Sequence, residues 1–136
     1  MERRGGTGEG GNGSEPIKIL VIDGEEAHCR LYKEELEDDG YEVLTATTWP
    51  KGMDLFRKEI PDLVTVDVCM SDCEERIKLL GQMKEISPGV PIILLTSYDN
   101  GGDFEESFAD ACVLKSSDLS ELKSTIKSTT SFENNL

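Results

Sequence analysis

No stretch of this chain approaches the roughly 18 consecutive apolar residues of a membrane-spanning helix. Its start, Met1-Glu2-Arg3-Arg4-Gly5-Gly6, runs into glycines where a signal peptide would carry an apolar core. Both absences point to a cytoplasmic protein that does not cross a membrane. Positive charge is also scarce: 14 Lys plus Arg face 28 Asp plus Glu, for a net charge of −14. A surface of that sign repels phosphate backbones and anionic lipid, so neither nucleic acid nor a membrane surface is an expected partner. Histidine and tryptophan occur once each, as His28 and Trp49. Four cysteines are present, Cys29, Cys69, Cys73 and Cys112, with Cys69 and Cys73 the only close pair and no second such pair. Without a secretory context they read as reduced thiols, the alternative being a tetrahedral metal set of three thiolates and His28. Residues 1–15 contain six glycines and no aliphatic side chain, which predicts a disordered tail. Gly8, Gly10 and Gly13 fit the spacing of a dinucleotide-binding loop, but no strand can precede them, which excludes that use.

What remains is a chain of one domain's length, 136 residues, with a regular alternation of elements. Ile17–Ile22 predicts a strand, followed by a helix over residues 25–38 with Ala27, Leu31, Tyr32 and Leu36 inward and a stop at Gly40. Residues 41–46 make a second strand, and Thr48-Trp49-Pro50 opens a helix carrying Met53, Leu55, Phe56 and Ile60. Trp49 is either an anchor for a partner or a cap over this helix. Leu63-Val64-Thr65-Val66-Asp67-Val68 reads as a strand buried on both faces. A helix with Ile77, Leu80, Met83 and Ile86 inward follows, then a strand over 91–96. A turn at 99–102 and a short weak helix at 103–108 precede a strand at 111–114. Asp118 caps a last helix with Leu119, Leu122 and Ile126 inward. The domain is expected over 16–129, with 130–136 a flexible C-terminal tail. Strands alternating with helices over short connections define a doubly wound α/β fold, a five-stranded parallel sheet with helices on both faces. The flavodoxin-like order 2-1-3-4-5 is the most economical topology.

That order brings Asp23, Asp67, Thr96 and Lys115 to the carboxyl ends of four strands, the edge where open α/β sheets bind ligands. Two carboxylates can hold a hard cation such as Mg2+. A hydroxyl and an ammonium can receive phosphoryl oxygens as their charge develops. The set suits transfer of a phosphoryl group to Asp67 as nucleophile.

Five fragments in order carry a family resemblance: Lys18-Ile19-Leu20-Val21-Ile22-Asp23, Pro61-Asp62-Leu63-Val64-Thr65-Val66-Asp67, Leu94-Leu95-Thr96-Ser97, Ala109-Asp110 with Val113-Leu114-Lys115, and Asp118-Leu119-Ser120-Glu121-Leu122. Over about residues 17–127 the chain resembles the receiver domain of bacterial two-component response regulators. The resemblance implies that Asp67 accepts a phosphoryl group from a phosphohistidine on a sensor histidine kinase or phosphotransfer protein. It implies Mg2+ near Asp23, Asp67 and the backbone carbonyl of Cys69, with Thr96 on the phosphoryl oxygens and Lys115 paired with the acyl phosphate. A downstream protein partner would read the face formed by the 103–108 helix and the 111–114 strand. Such a domain is a signalling module, with self-phosphorylation and autodephosphorylation as its only chemistry.

The departures are specific. Gly24 stands where the family has a second acid that binds the metal directly, so Mg2+ is expected to bind weakly or not at all. Ser71 replaces a loop proline, Cys73-Glu74-Glu75 replaces a glycine-containing turn, and Cys112 replaces the switch aromatic. Ser116 replaces the proline after the lysine, which loosens how Lys115 is aimed. These departures motivate an alternative, a pseudo-receiver that binds proteins without phosphorylation. Asp23-Gly24-Glu25 also faintly resembles the D-x-D of haloacid-dehalogenase phosphatases, a minor alternative with no cap insertion to support it. Nothing after the last helix reads as an output domain, which leaves a single-domain carrier and a segment of a longer protein both open.

Overall fold

The computed structural model describes residues 16–97 and 108–134. The expected tail over 1–15, the turn at 99–102 and nearly all of the short helix at 103–108 lie outside the described residues. The elements are β1 (Lys18–Ile22), α1 (Glu26–Asp38), β2 (Glu42–Ala46), α2 (Trp49–Glu59) and β3 (Leu63–Asp67). A 3-10 turn (Val68–Met70) follows, then α3 (Cys73–Ile86), β4 (Ile92–Thr96), β5 (Ala111–Leu114) and α4 (Ser120–Asn134). The strands form one parallel sheet in the order β2-β1-β3-β4-β5.

Every residue of β3 and β4 is buried, as continuous apolar runs in a sheet covered on both faces require. Alternate side chains go to opposite faces. Ile19 and Val21 pack with Cys29, Tyr32 and Leu36 of α1 and Leu122 and Ile126 of α4. Leu20, Ile22, Val64 and Val66 pack with Met53 and Phe56 of α2 and Leu80 and Met83 of α3. Gly52 lies where α2 crosses β1: a Cβ there would stand 2.7 Å from Ile22 Cδ1, so any larger residue would have to displace the Ile22 side chain. Helix starts follow the capping chemistry. Thr48 Oγ1 accepts from the Lys51 N–H at 3.3 Å with Pro50 in the first turn, and Asp72 Oδ1 accepts from the Glu75 N–H at 2.8 Å.

Several expectations need correction. Ala27 faces solvent, and Cys29 takes the inward position on α1, because it lies at i−3 and i−7 from Tyr32 and Leu36 and so shares their buried stripe. Ile60 is 55% exposed; it adopts left-handed backbone (φ 47°) and ends α2 by donating its N–H to Phe56 O. Ile86 is exposed at the last turn of α3, whereas Arg76 is buried. Trp49 is buried in the α2–α3 layer, a core residue and not an exposed anchor. Finally, α4 runs to Asn134, so the helix extends beyond residue 129, the expected end of the domain. Thr130 is buried there and its hydroxyl donates to Ile126 O at 2.8 Å.

Candidate functional site

Asp23 follows β1 directly. Its N–H donates to Ala46 O at 3.0 Å, which pins the turn to β2, and its Oδ1 accepts from the Glu25 N–H at 3.0 Å. Asp67 is the last residue of β3, and its Oδ1 accepts from the Cys69 N–H at 3.0 Å, which winds the 3-10 turn over the strand end. The two carboxylates are 0% and 5% exposed. Buried acids in such numbers require a cation. Lys115, one residue past β5, supplies it: Nζ lies 3.1 Å from Asp23 Oδ2 and 3.3 Å from Asp67 Oδ2. Its backbone N–H donates to Thr96 O at 2.6 Å, so the lysine is aimed by the end of β4 even with Ser116 in place of proline. Burial alone pulls the Lys115 pKa down, but the hydrogen bond and charge of Asp23, joined by Asp67, outweigh it and raise the pKa. Thr96 ends β4, buried beside the same edge.

The four residues expected at one edge therefore converge, His28 joins them, and Arg76 holds the neighbouring loop. His28 Nδ1 is 3.2 Å from Lys115 Nζ and 3.3 Å from Asp23 Oδ1. With the imidazole proton on Nε2, Nδ1 accepts the third ammonium N–H, and Lys115 then has an acceptor for each donor. Arg76 Nη1 donates to Val68 O at 3.2 Å and so ties α3 to the loop that carries Cys69. Neither role is visible in the sequence, since both depend on how a helix axis lies against the sheet. Glu25 is exposed and makes no side-chain cap hydrogen bond.

Gly24 has ordinary backbone, and a Cβ there would meet only Met70 Cγ, at 3.9 Å. Nothing steric demands glycine at this position. Asp23 and Asp67 place two buried carboxylates at this edge, within the one or two that Mg2+ takes alongside its waters. Among the described residues no three of His, Cys, Asp and Glu are grouped to hold a metal, and the cysteines are not gathered around His28. Burial raises the Cys29 thiol pKa, with the Asp23 charge adding to it, so this cysteine is an inert thiol.

The response regulator receiver domain family matches residues 19–127. The chain belongs to that family. Its relatives include a probable transcriptional regulator, ycf27, of Porphyra purpurea, 36% identical over 82% of this chain and 46% of the relative. The transcriptional regulatory protein ZraR of Escherichia coli (strain K12) is 31% identical over 62% of this chain and 19% of its own length. The chain thus spans less than half the length of these relatives. Among solved structures, a CheY-like receiver domain protein from Methanospirillum hungatei JF-1 covers 90% of this chain and all of its own (100%), with a TM-score of 0.77 and 27% identity. The response regulator TrrA from Thermotoga maritima, solved in complex with Mg(2+)-BeF, covers 83% of this chain and 98% of its own, with a TM-score of 0.72 and 33% identity.

Proposed function

We propose that Asp67 is the phosphoacceptor of this receiver domain and that its donor is a phosphohistidine on a sensor histidine kinase or phosphotransfer protein in the cytoplasm. The observation that carries the reading is the contact of Lys115 Nζ with Asp67 Oδ2 at 3.3 Å at the strand edge where Thr96 ends. A carboxylate oxygen of Asp67 attacks phosphorus, the P–N bond of the donor breaks, and the leaving imidazole takes up a proton. Lys115 then moves its ammonium from the carboxylate to the acyl phosphate, and the Thr96 hydroxyl donates to a phosphoryl oxygen. Asp23, Asp67 and the Cys69 carbonyl would hold Mg2+, which supplies charge neutralisation on the transferring phosphoryl group, weakly for want of an acid at Gly24. The output is a shift between two packings of the edge around β5, where Leu114 is exposed, read by a protein partner.

One observation favours a second reading, a pseudo-receiver. Lys115 already bridges both acids, so the site is compensated with no metal. Backbone amide shifts followed through Mg2+ addition, then beryllofluoride as the acyl-phosphate mimic, separate the two. Shifts at Thr96 and Lys115 that require both additions and vanish in Asp67→Asn support phosphotransfer. Silence at millimolar Mg2+ with beryllofluoride sinks it in favour of the pseudo-receiver.

A further inference from the structure

We propose that the cavity between α1 and the carboxyl end of β2 is a binding site for a small phosphate monoester. The cavity, about 280 Å3, is lined by Glu26, Arg30 and Lys33 of α1, Thr45 and Thr47 at the end of β2, and Lys51 in the first turn of α2, with Cys29 at its base. Acids outnumber bases by two to one in this chain, 28 to 14, so an exposed base has ample choice of partner. Arg30 nonetheless makes no ion pair among the described residues, though Glu26 and Glu34 lie one turn to either side of it on α1. The Lys51 side chain and the hydroxyls of Thr45 and Thr47 are likewise without a hydrogen bond among the described residues. Lys33 is fixed against the same wall by Glu37 at 2.8 Å and Val43 O at 3.0 Å. With Lys33 paired to Glu37, Arg30 and Lys51 are the cations left over, and against the one lining acid, Glu26, they leave a local surplus of one, the charge of a phosphate monoester monoanion.

The donor types fit that ligand. A guanidinium presents a fork that matches two phosphate oxygens, an ammonium adds a point charge, and two hydroxyls donate to the remaining oxygens. The carboxyl end of a parallel strand is also where this class of fold takes ligands. The cavity falls just below the ~300–1,000 Å3 of pockets for drug-sized molecules, so it suits a short ester. Apart from Glu34 and Glu37, which stand beside Arg30 and Lys33 on α1, the negative charge of more distant parts of the chain is screened beyond about 8 Å at physiological ionic strength. The site also touches the acidic turn. Cys29 Sγ donates to Asp23 O at 3.3 Å, and Asp23 N–H donates to Ala46 O, between the two threonines. Occupancy should therefore register at the Asp23 amide.

The test is a titration of the labelled protein with glycerol 3-phosphate and with inorganic phosphate, in EDTA, with ionic strength held constant by sodium chloride. Saturable shifts at Arg30, Thr45, Thr47 and Lys51 are expected, with the ester binding tighter. The double variant Arg30→Ala/Lys51→Ala changes two exposed side chains, keeps the dispersed spectrum of a folded domain, and should bind about tenfold or more weaker. Linear shifts reproduced by sodium chloride, equal binding by the double variant, or no preference for the ester would each overturn the proposal. The readout needs neither metal nor Asp67, so it is independent of phosphotransfer.

Discussion

Replacing Gly24 by Asp should strengthen Mg2+ binding at the proposed cation site, and the size of the effect can be worked from the geometry. With Asp23, Asp67 and Lys115 charged, the site carries a net charge of −1. A carboxylate at residue 24 makes it −2. At about 5 Å and an effective dielectric near 20, that like-charge contact costs at most about 3 kcal/mol, and exposure at position 24 reduces it to about 1 kcal/mol. The unliganded variant should therefore be less stable than the parent by about 1 kcal/mol. Mg2+ reverses the sign, because one more direct oxygen ligand and one more negative charge meet a divalent ion. A tenfold tighter Kd, or about 1.4 kcal/mol, is the conservative expectation. Binding to the folded state alone stabilises by RT ln(1 + [L]/Kd), about 2.7 kcal/mol when Mg2+ stands at 100 times Kd. Urea unfolding of parent, Gly24→Ala and Gly24→Asp with and without Mg2+ measures all of this. Gly24→Ala isolates the backbone, and since its Cβ would meet only Met70 Cγ at 3.9 Å it should be neutral or slightly stabilising. Gly24→Asp with unchanged stability and unchanged Mg2+ affinity would refute the reasoning, for residue 24 would then not face the acid pair.

Two further outcomes follow from the same cluster. Lys115→Met removes the cation shared by two buried carboxylates and should cost about 2–3 kcal/mol, part of which Mg2+ restores, as unfolding midpoints with and without metal would register. Because the acids raise the Lys115 pKa, its charged form favours the folded state. That stabilisation is complete below about pH 10.4, the unfolded value, and fades as pH rises through the higher folded value, so parent and variant should converge in strong alkali. His28→Leu deprives Lys115 of one of three acceptors, an effect of about 1 kcal/mol that should make Mg2+ bind roughly fivefold tighter by easing displacement of the ammonium. Weaker Mg2+ binding in that variant would instead make His28 a ligand.

The parts legible in the sequence are those governed by the strand period. β3 and β4 announce themselves as β-branched runs, and Asp23, Asp67, Thr96 and Lys115 are conspicuous because a polar residue at the end of a buried strand has few structural uses. Residues that depend on helix azimuth were not legible. His28 lies five residues past Asp23, yet the turn at Gly24-Glu25 carries it back within 3.3 Å of that acid. Arg76 reads as an ordinary surface charge until α3 lays it across the β3 loop, buried to 5% exposure. The length of α4 was hidden by its polar last turns. There Thr125, Thr129 and Thr130 donate their hydroxyls to Glu121 O, Thr125 O and Ile126 O at 2.9, 3.0 and 2.8 Å, bonds that a helix satisfies and a sequence pattern does not display.

Gly24 is the case in which sequence and structure are informative only together. In the sequence it is a missing acid, which leaves open that the backbone required glycine. In the structure the position has ordinary backbone and open space, so chemistry alone separates glycine from aspartate there. Lys115, with its ammonium on both acids and on His28, then provides in the resting domain the compensation that a metal would otherwise bring. Under the proposed function, a phosphoryl group arriving at Asp67 would bring negative charge of its own and compete with Asp23 for that same ammonium. The energy of phosphorylation would then be set against the Asp23–Lys115 contact, and the variants at 24, 28 and 115 would shift that one balance from different sides.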